Sequence, residues 1–257
     1  PHWGAGGLLK NQNDKNYSEA NSDQIMLSEL IDINIKTCDL IWSLPDAGSK
    51  PAIDYPRLII PYRRDMDQRI SEQEARFVYC SVLNKSDFFY SIETPTEKEY
   101  QLSGKGKRSA STDLSIYKYM NGFRKLANVE FKAHNARFEE IEKDVKKLVN
   151  EGITGNWFHL LKNINSRTLK SLFNKIERAL MANYSDKISI LFCFCVLSRK
   201  WACIKHFNWA GDGNGFENHR KSESYRMFVE EFFRLDYVVR KEITVIDENG
   251  WLIYSNQ

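Results

Sequence analysis

Apolar residues recur along the chain with two periods, and each period predicts a different kind of element. Helical spacing is clear in residues 71–85 and 137–150, where apolar side chains share one stripe. Ser71 and Glu74 form a capping-box pattern at the start of the first of these helices. Two further helices are predicted at residues 166–183 and 222–235. The fold class therefore depends on what fills the intervals between these helices.

Short runs with strand character fill these intervals. They lie at residues 57–62, 88–92, 100–103, 111–119, 126–133, 155–161, 188–197, 201–209, 243–246 and 251–254. Asn121-Gly122 and Asn249-Gly250 are hairpin turn signals, and Pro95 is expected to end the strand before it. The predicted order from residue 71 is αβββαβαβ, which favours an α/β domain with a central mixed sheet flanked by helices.

The two ends of the chain are interpreted as additions to this core. Residues 1–65 are predicted to form an N-terminal extension, which starts as a polar arm and contains a short helix at residues 26–30. Residues 66–257 are predicted to form one domain, with its core at residues 70–210 and a C-terminal helix and hairpin at residues 220–257. Two interpretations of this C-terminal part stay open, an extension of the core and a homodimer face.

Composition and charge exclude some broad classes of protein but do not indicate a function. The 257 residues are 42% hydrophobic and 28% charged, which is globular rather than disordered or fibrous. The net charge of +3 does not by itself indicate a nucleic-acid partner, so the position of the basic residues matters more. No apolar run approaches the ~20 residues that a membrane span requires, so no membrane partner is expected.

The five cysteines fit neither a CxxC zinc site nor a compact disulfide framework. Cys193 and Cys195 alternate with phenylalanines in an apolar run, which is typical of buried thiols. Buried free thiols indicate a reducing intracellular compartment, and a cytoplasmic location is therefore expected.

Three charged residues carry the candidate chemistry. Glu130 and Lys132 lie two apart on one predicted strand, so they share a face of it. Asp113 lies on the preceding strand, which the turn signal makes an antiparallel neighbour, so its carboxylate is expected near Glu130. Two carboxylates suit a hard divalent cation such as Mg²⁺ or Mn²⁺, and the backbone carbonyl of Phe131 can complete the coordination. A metal-activated water with an ammonium beside it is the chemistry of phosphodiester hydrolysis.

This pattern resembles the D…(D/E)xK motif of the PD-(D/E)xK, or restriction-endonuclease-like, nuclease superfamily. Asp113 precedes Glu130-Phe131-Lys132 by a gap of 16 residues, although Thr112 stands where the family motif has proline. The order of elements over residues 70–200 is similar to the family's αβββαβ core. The resemblance implies a metal-dependent endonuclease that acts on DNA more often than on RNA.

The same resemblance implies a helix glutamate in the site. Glu72 and Glu74 both lie on the preceding helix, and Glu72 is favoured because it is nearer the apolar face while Glu74 serves the cap. After the lysine, Asn135 is favoured as the N-cap of the following helix. His134 is left open between substrate contact and capping.

A basic turn leads into the Asp113 strand. Lys105, Lys107 and Arg108 are interpreted either as phosphate contacts beside the site or as a solvated hairpin loop. Ser111 is expected to add a phosphate hydrogen bond in the first interpretation.

Three alternatives compete with the nuclease. The same fold can be a catalytically inactive nucleic-acid-binding or protein-interaction module, or the chain can be an unrelated α/β structural protein. The third alternative gives the cluster no chemistry, because Glu130 then only forms a salt bridge with Lys132 or Arg124 at the edge of the sheet. Two similar clusters, at residues 97–99 and 142–144, are set aside because a loop and a helix do not build the same face.

Overall fold

A mixed β-sheet organises the chain, and helices pack on both of its faces. The computed structural model describes residues 10–44, 56–61, 70–101, 107–163, 166–211, 218–233, 245–246 and 250–255. The helices in this part are α1 (Lys10–Ser43), α2 (Glu72–Leu83), α3 (Phe138–Asn150), α4 (Ser166–Ala182) and α5 (Asn218–Phe232). The strands are β1 (Phe89–Gln101), β2 (Lys107–Tyr119), β3 (Phe123–Ala133), β4 (Thr154–Leu161), β5 (Lys187–Val196), β6 (Trp201–Ala210), β7 (Val245–Ile246) and β8 (Leu252–Ser255).

The order of strands across the sheet is β1-β2-β3-β4-β5-β6-β8-β7. The first three strands form an antiparallel meander, β3, β4 and β5 run parallel, and the remaining pairs are antiparallel. Helices α3 and α4 make the two crossovers that parallel neighbours require. The predicted α/β class with a mixed sheet flanked by helices is therefore confirmed, and so is the order αβββαβαβ from residue 71.

The first strand differs from the prediction because it continues through a proline. Residues 88–92 and 100–103 were expected to form separate strands, but β1 runs without interruption from Phe89 through Pro95 to Gln101, and residues 102 and 103 lie outside the described part. In the described sheet β1 lies at the edge, where a residue without an N–H loses no bond on its outer side. The register against β2 shifts between Pro95 and Glu99, which accommodates the break in the ladder.

Helix α1 is much longer than the predicted short helix at residues 26–30, since it extends over Lys10–Ser43. Two of its buried positions are polar, which interrupts the apolar period in the sequence. Asn34 bonds through its Nδ2 to Asn156 Oδ1 at 2.9 Å, and the Thr37 hydroxyl bonds to a carbonyl one turn earlier. A buried polar residue is acceptable there because each has a partner.

The strand predicted at residues 57–62 is wrong for the part that the structure describes. Residues 56–61 have no regular structure, and Tyr62 lies outside the described residues. Ile60 is buried whereas Ile59 is 77% exposed, so the alternation that predicted a strand is real but has no partner strand in the described sheet. The proposed boundary between an extension and a domain near residue 65 stays a prediction.

Two apolar layers lie on opposite faces of the sheet. Helices α1 and α2 cover one face, and α3, α4 and α5 cover the other. Strand β3 shows the alternation directly: Val129 and Phe131 belong to the first layer, and Glu130 faces α3 on the other side. The five cysteines are all buried and free, as predicted.

The N-termini of α2 and α3 test the two predicted helix caps. The Ser71 hydroxyl donates to the Glu74 carboxylate at the start of α2, so the pair interacts, although not through the backbone as a capping box requires. Arg137 is the N-cap residue of α3, so the predicted cap at Asn135 is wrong. Asn135 Oδ1 instead accepts a hydrogen bond from Lys175 Nζ at 2.7 Å, which ties the loop to α4.

Among the described residues, no helix combines the length and the apolar character needed to cross a membrane.

Phe158 on β4 offers a test of the first layer. Its ring is fully buried between Tyr79 of α2 and Phe131 of β3, with centroids 6.0 Å from each. We expect Phe158→Ala to lower the free energy of unfolding by about 3–5 kcal/mol, because it leaves a cavity between helix and sheet. Urea denaturation measures this loss. The control is Phe77→Ala at a 52% exposed position of α2, where the change should stay within about 0.5 kcal/mol.

Candidate functional site

Three predicted site residues meet on the β2–β3 hairpin. Leu114 pairs with Val129 in the antiparallel register, which brings Asp113 beside Glu130 and Phe131. Asp113 Oδ2 accepts a hydrogen bond from the backbone N–H of Phe131 at 2.8 Å. The carboxylate of Asp113 is therefore held against the strand that carries the other two residues.

Lys132 connects β3 to two helices. Its Nζ lies 2.6 Å from Asp144 Oδ2 of α3 and 3.4 Å from Glu72 Oε1 of α2, and it donates to the carbonyl of Phe131 at 3.0 Å. Glu72 thus reaches the site, whereas Glu74 accepts the hydrogen bond of Ser71. The ammonium is fixed by three acceptors from three elements.

A second lysine, which the sequence analysis did not single out, neutralises Glu130. Lys147 Nζ lies 2.7 Å from Glu130 Oε1 and 2.8 Å from Asp144 Oδ1, and it donates to the Ser111 carbonyl at 3.0 Å. Glu130 is fully buried, and neither of its oxygens has a hydrogen-bond partner of normal geometry. Its cation partner is therefore Lys147 rather than Lys132 or Arg124, which the salt-bridge interpretation had assumed.

Carboxylates outnumber ammonium groups in this cluster. Glu72, Asp113, Glu130 and Asp144 face Lys132 and Lys147, so four negative charges meet two positive ones. Burial raises the pKa of Glu72, Asp113 and Glu130 above their ordinary values, most strongly for Glu130, and Asp144 adds to the effect on each. The folded state thus favours a proton on these three carboxyl groups.

Asp144 behaves in the opposite way. Burial acts to raise its pKa, but the ammonium groups of Lys147 and Lys132 outweigh burial and hold the pKa below its ordinary value. Burial likewise opposes the charge of Lys132, yet Asp144 and Glu72 raise the pKa of that ammonium above its usual range. The surroundings of Lys132, Asp144 and Lys147 therefore favour the ionised form of all three groups, whereas those of the outer carboxyl groups favour the protonated form.

The basic turn is only partly described. Lys105 lies outside the described residues, while Lys107 and Arg108 begin β2 with side chains that the structure does not describe. Ser111 is exposed on the same strand, and its carbonyl is bonded to Lys147. Phosphate contact by these residues stays a prediction.

Asp144 and Lys147 had a sequence signal that was missed. Asp144 lies three residues after Ile141 and directly before Val145, inside the apolar stripe of α3. A charge within such a stripe must meet a partner when the helix packs, because an unpaired buried charge is costly. Residues 142–144 were set aside because a helix does not build the same face as a strand, although Asp144 itself points toward the sheet.

His134 and His159 form a polar connection next to Lys132. His134, at a φ of 61°, donates from Nε2 to the Ile70 carbonyl at 2.8 Å, which joins the loop after β3 to the start of α2. His159 on β4 pairs in register with Lys132, is fully buried, and donates from Nε2 to the His134 carbonyl at 2.6 Å. Its Nδ1 accepts from the indole of Trp157 at 3.4 Å, which requires a neutral ring.

In the part of the chain that the structure describes, no three His, Cys, Asp or Glu side chains are grouped in a way that could hold a metal ion. The two lysines lie among the carboxylates of the site instead.

Comparison of the chain with protein-family models, with curated proteins and with solved structures found no match to any of them.

Removal of the Lys147 ammonium should destabilise the fold. We expect Lys147→Met to lower the free energy of unfolding by about 3 kcal/mol at pH 8, because Glu130 and Asp144 lose their buried cation. The loss should shrink toward pH 5, where Glu130 with its raised pKa takes up a proton. Denaturant unfolding at both pH values measures the effect. The matched control is Lys143→Met at an exposed position of α3, and an equal loss in this control would contradict the expectation.

His159 should make stability depend on pH. Burial lowers the pKa of His159 from 6.5 to about 3, so below pH 6.5 the unfolded chain binds a proton that the folded chain does not. Stability from this group is present above pH 6.5 and is lost by up to about 1.4 kcal/mol per pH unit as the pH falls toward 4. We expect His159→Gln to show a correspondingly smaller fall over that range. Identical slopes for the two proteins would show that His159 does not control this dependence.

Proposed function

We propose that this chain is a metal-dependent nuclease of the PD-(D/E)xK type, which hydrolyses phosphodiester bonds in DNA more readily than in RNA. One observation carries the proposal: Asp113 is bonded to the strand that presents Glu130 and Lys132, while Glu72 from the preceding helix contacts the same lysine. These are the four positions that the motif resemblance selects as catalytic. The order α2-β1-β2-β3-α3-β4, with an antiparallel meander and then a parallel strand, supports a restriction-endonuclease-like core.

The oxygen atoms of the site are of the kind that a hard divalent cation prefers, and a metal would have to compete for them with Lys132 and Lys147. Asp113, Glu130 and the Phe131 carbonyl offer oxygen ligands, which Mg²⁺ and Mn²⁺ prefer. Both Glu130 oxygens are buried without a normal hydrogen bond, and the cluster carries two more carboxylates than ammonium groups. An added cation would offset this excess and lower the raised pKa values of the carboxyl groups. When bound, it supplies Lewis-acid stabilisation of the phosphate and a more acidic water.

The protein's own residues supply position and charge. Lys132 presents a permanent positive charge, because Asp144 and Glu72 raise the pKa of its ammonium against the effect of burial. Such a charge stabilises the negative charge that develops on a phosphate during hydrolysis. Asp144 and Glu72 orient this ammonium from two helices, and the Phe131 N–H orients Asp113. In this proposal α2 and α3 contribute by holding the Lys132 side chain of the hairpin in position.

A second candidate function is a catalytically inactive nucleic-acid-binding module on the same fold. The observation that favours it is the position of Lys147, whose ammonium lies 2.7 Å from Glu130 Oε1. A lysine there already neutralises the carboxylate that a metal would use. Cleavage and metal binding distinguish the two functions. In either case, the buried free cysteines support a reducing, cytoplasmic location.

The proposal predicts metal-dependent cleavage of plasmid or oligonucleotide DNA. We expect Asp113→Asn and Lys132→Ala to reduce the rate at least about 100-fold, since the first removes a carboxylate that would bind the metal and the second removes the ammonium that would stabilise charge on the phosphate. Lys143→Ala, which changes an exposed lysine of α3, should cut at the wild-type rate. Gel-based cleavage with Mg²⁺ or Mn²⁺ measures these rates, and circular dichroism shows that each variant is folded.

Metal binding gives a second readout that does not need the right substrate. Mn²⁺ should raise the thermal unfolding midpoint of the wild type and not that of Glu130→Gln, because binding to the folded state stabilises it. No stabilisation by metal, together with DNA binding but no cleavage, would favour the inactive module. Cleavage that survives Lys132→Ala would contradict the assignment of the site.

A further inference from the structure

Lys147 of α3 holds a position at Glu130 that a metal ion would also need. Its Nζ lies 2.7 Å from Glu130 Oε1 and 2.8 Å from Asp144 Oδ1, and it donates to the Ser111 carbonyl at 3.0 Å. The three acceptors come from β3, α3 and β2, and the side chain of Lys147 is only 4% exposed. The ammonium is therefore enclosed by oxygen atoms of the kind that Mg²⁺ and Mn²⁺ prefer.

The contact between Lys147 and Glu130 depends on charge more than on direction. Glu130 is fully buried, and neither of its oxygens has a hydrogen-bond partner of normal geometry, although Oε1 lies 2.7 Å from the ammonium. A directional hydrogen bond favours one donor, whereas the Coulomb attraction of a carboxylate acts on any cation that reaches it. A divalent cation carries more charge than an ammonium group, so the same carboxylate attracts it more strongly.

Lys147 keeps other partners if it gives up Glu130. Asp144 and the Ser111 carbonyl contact the same Nζ, and the flexible stem of a lysine lets the ammonium shift while its Cα stays in α3. The charges agree with this arrangement, because the cluster has four carboxylates and two ammonium groups. A divalent cation added beside both lysines makes the cluster neutral, so metal binding does not require the lysine to leave the protein interior.

We propose that Lys147 competes with a divalent cation for Glu130 and thereby sets how tightly the site binds metal. The inference deepens the proposed function, on which it rests for the choice of a divalent cation as the ligand. It makes Lys147 a determinant of metal affinity, a role separate from the one proposed for Lys132. The wild-type site then takes up metal only at concentrations high enough to overcome the lysine.

The test is the affinity for Mn²⁺ at constant pH and ionic strength, measured from the electron paramagnetic resonance signal of the free ion. We expect Lys147→Met to bind Mn²⁺ at least about tenfold more tightly than the wild type, because the ion no longer displaces or repels a cation at Glu130. The matched control is Lys143→Met at an exposed position of the same helix, which should bind as the wild type does. A purely structural lysine predicts the opposite result, since its loss would disorder the carboxylates and weaken metal binding.

Two further variants locate the effect. Lys147→Arg keeps a positive charge at this position and should bind Mn²⁺ no more tightly than the wild type. Glu130→Gln, added to Lys147→Met, should remove the gain, because it removes the carboxylate for which metal and lysine compete. A gain of affinity that Lys147→Arg shares, or that survives Glu130→Gln, would overturn the inference.

Lys147→Met is expected to be less stable than the wild type, so its folding is followed by circular dichroism with and without metal. Mn²⁺ should raise the thermal unfolding midpoint of Lys147→Met by more degrees than that of the wild type, because the metal restores the cation that Glu130 has lost. If the variant is unfolded without metal, Mn²⁺ should refold it. A variant that stays unfolded in excess Mn²⁺ contradicts the inference.

The same titrations separate this inference from the proposed function. If the wild type binds Mn²⁺ and cuts DNA but Lys147→Met binds the metal no more tightly, the inference fails and the nuclease stands. If only Lys147→Met binds the metal, the inference stands, and the wild type is the inactive module because its lysine excludes the cation. If neither protein binds the metal, both the inference and the nuclease fail.

Discussion

The ion-pair chain Glu130–Lys147–Asp144–Lys132–Glu72 is the interaction on which the arrangement of β3, α3 and α2 depends. Two lysines, one from the strand and one from α3, share Asp144, and Lys147 also pairs with Glu130, so loss of Lys147 leaves the buried Glu130 carboxylate without a cation. Such a loss costs several kcal/mol in a protein whose net stability is of the order of 10 kcal/mol. The same residues that hold α3 against the sheet therefore also hold the candidate catalytic lysine in place.

The cluster formed by these residues and Asp113 has four carboxylates and only two ammonium groups. The raised pKa values of Glu72, Asp113 and Glu130 express that excess, and the depressed pKa of Asp144 shows where neutralisation is complete. A structural ion-pair network has no need of surplus buried carboxylates, because each one weakens the fold unless it is protonated. The excess is relieved either by protonation of these carboxyl groups or by an added cation, and the second is what the proposed nuclease requires.

The β2–β3 hairpin serves two chemically different regions. Its inner part packs against α3 and carries the buried charges, and its outer part exposes aromatic rings. The antiparallel pairing of the two strands keeps the distance between these regions fixed.

The sequence alone was enough to predict the helices α2, α3 and α4, the hairpin at Asn121-Gly122 and the faces of Val129, Glu130 and Phe131, because local periodicity and turn chemistry decide these features. The sequence also predicted Asp113, Glu130, Lys132 and Glu72 as site residues, because their positions along one hairpin and one helix can be counted from the sequence. Only the tertiary structure brought Asp144 and Lys147 to Glu130, since a residue on a helix acquires a partner on a strand through packing alone. Tertiary structure also decided that β1 continues through Pro95, because a strand at the edge of the sheet tolerates a missing N–H. It decided the length of α1 as well, because the polar Asn34 can be buried only where Asn156 lies opposite it as a hydrogen-bond partner.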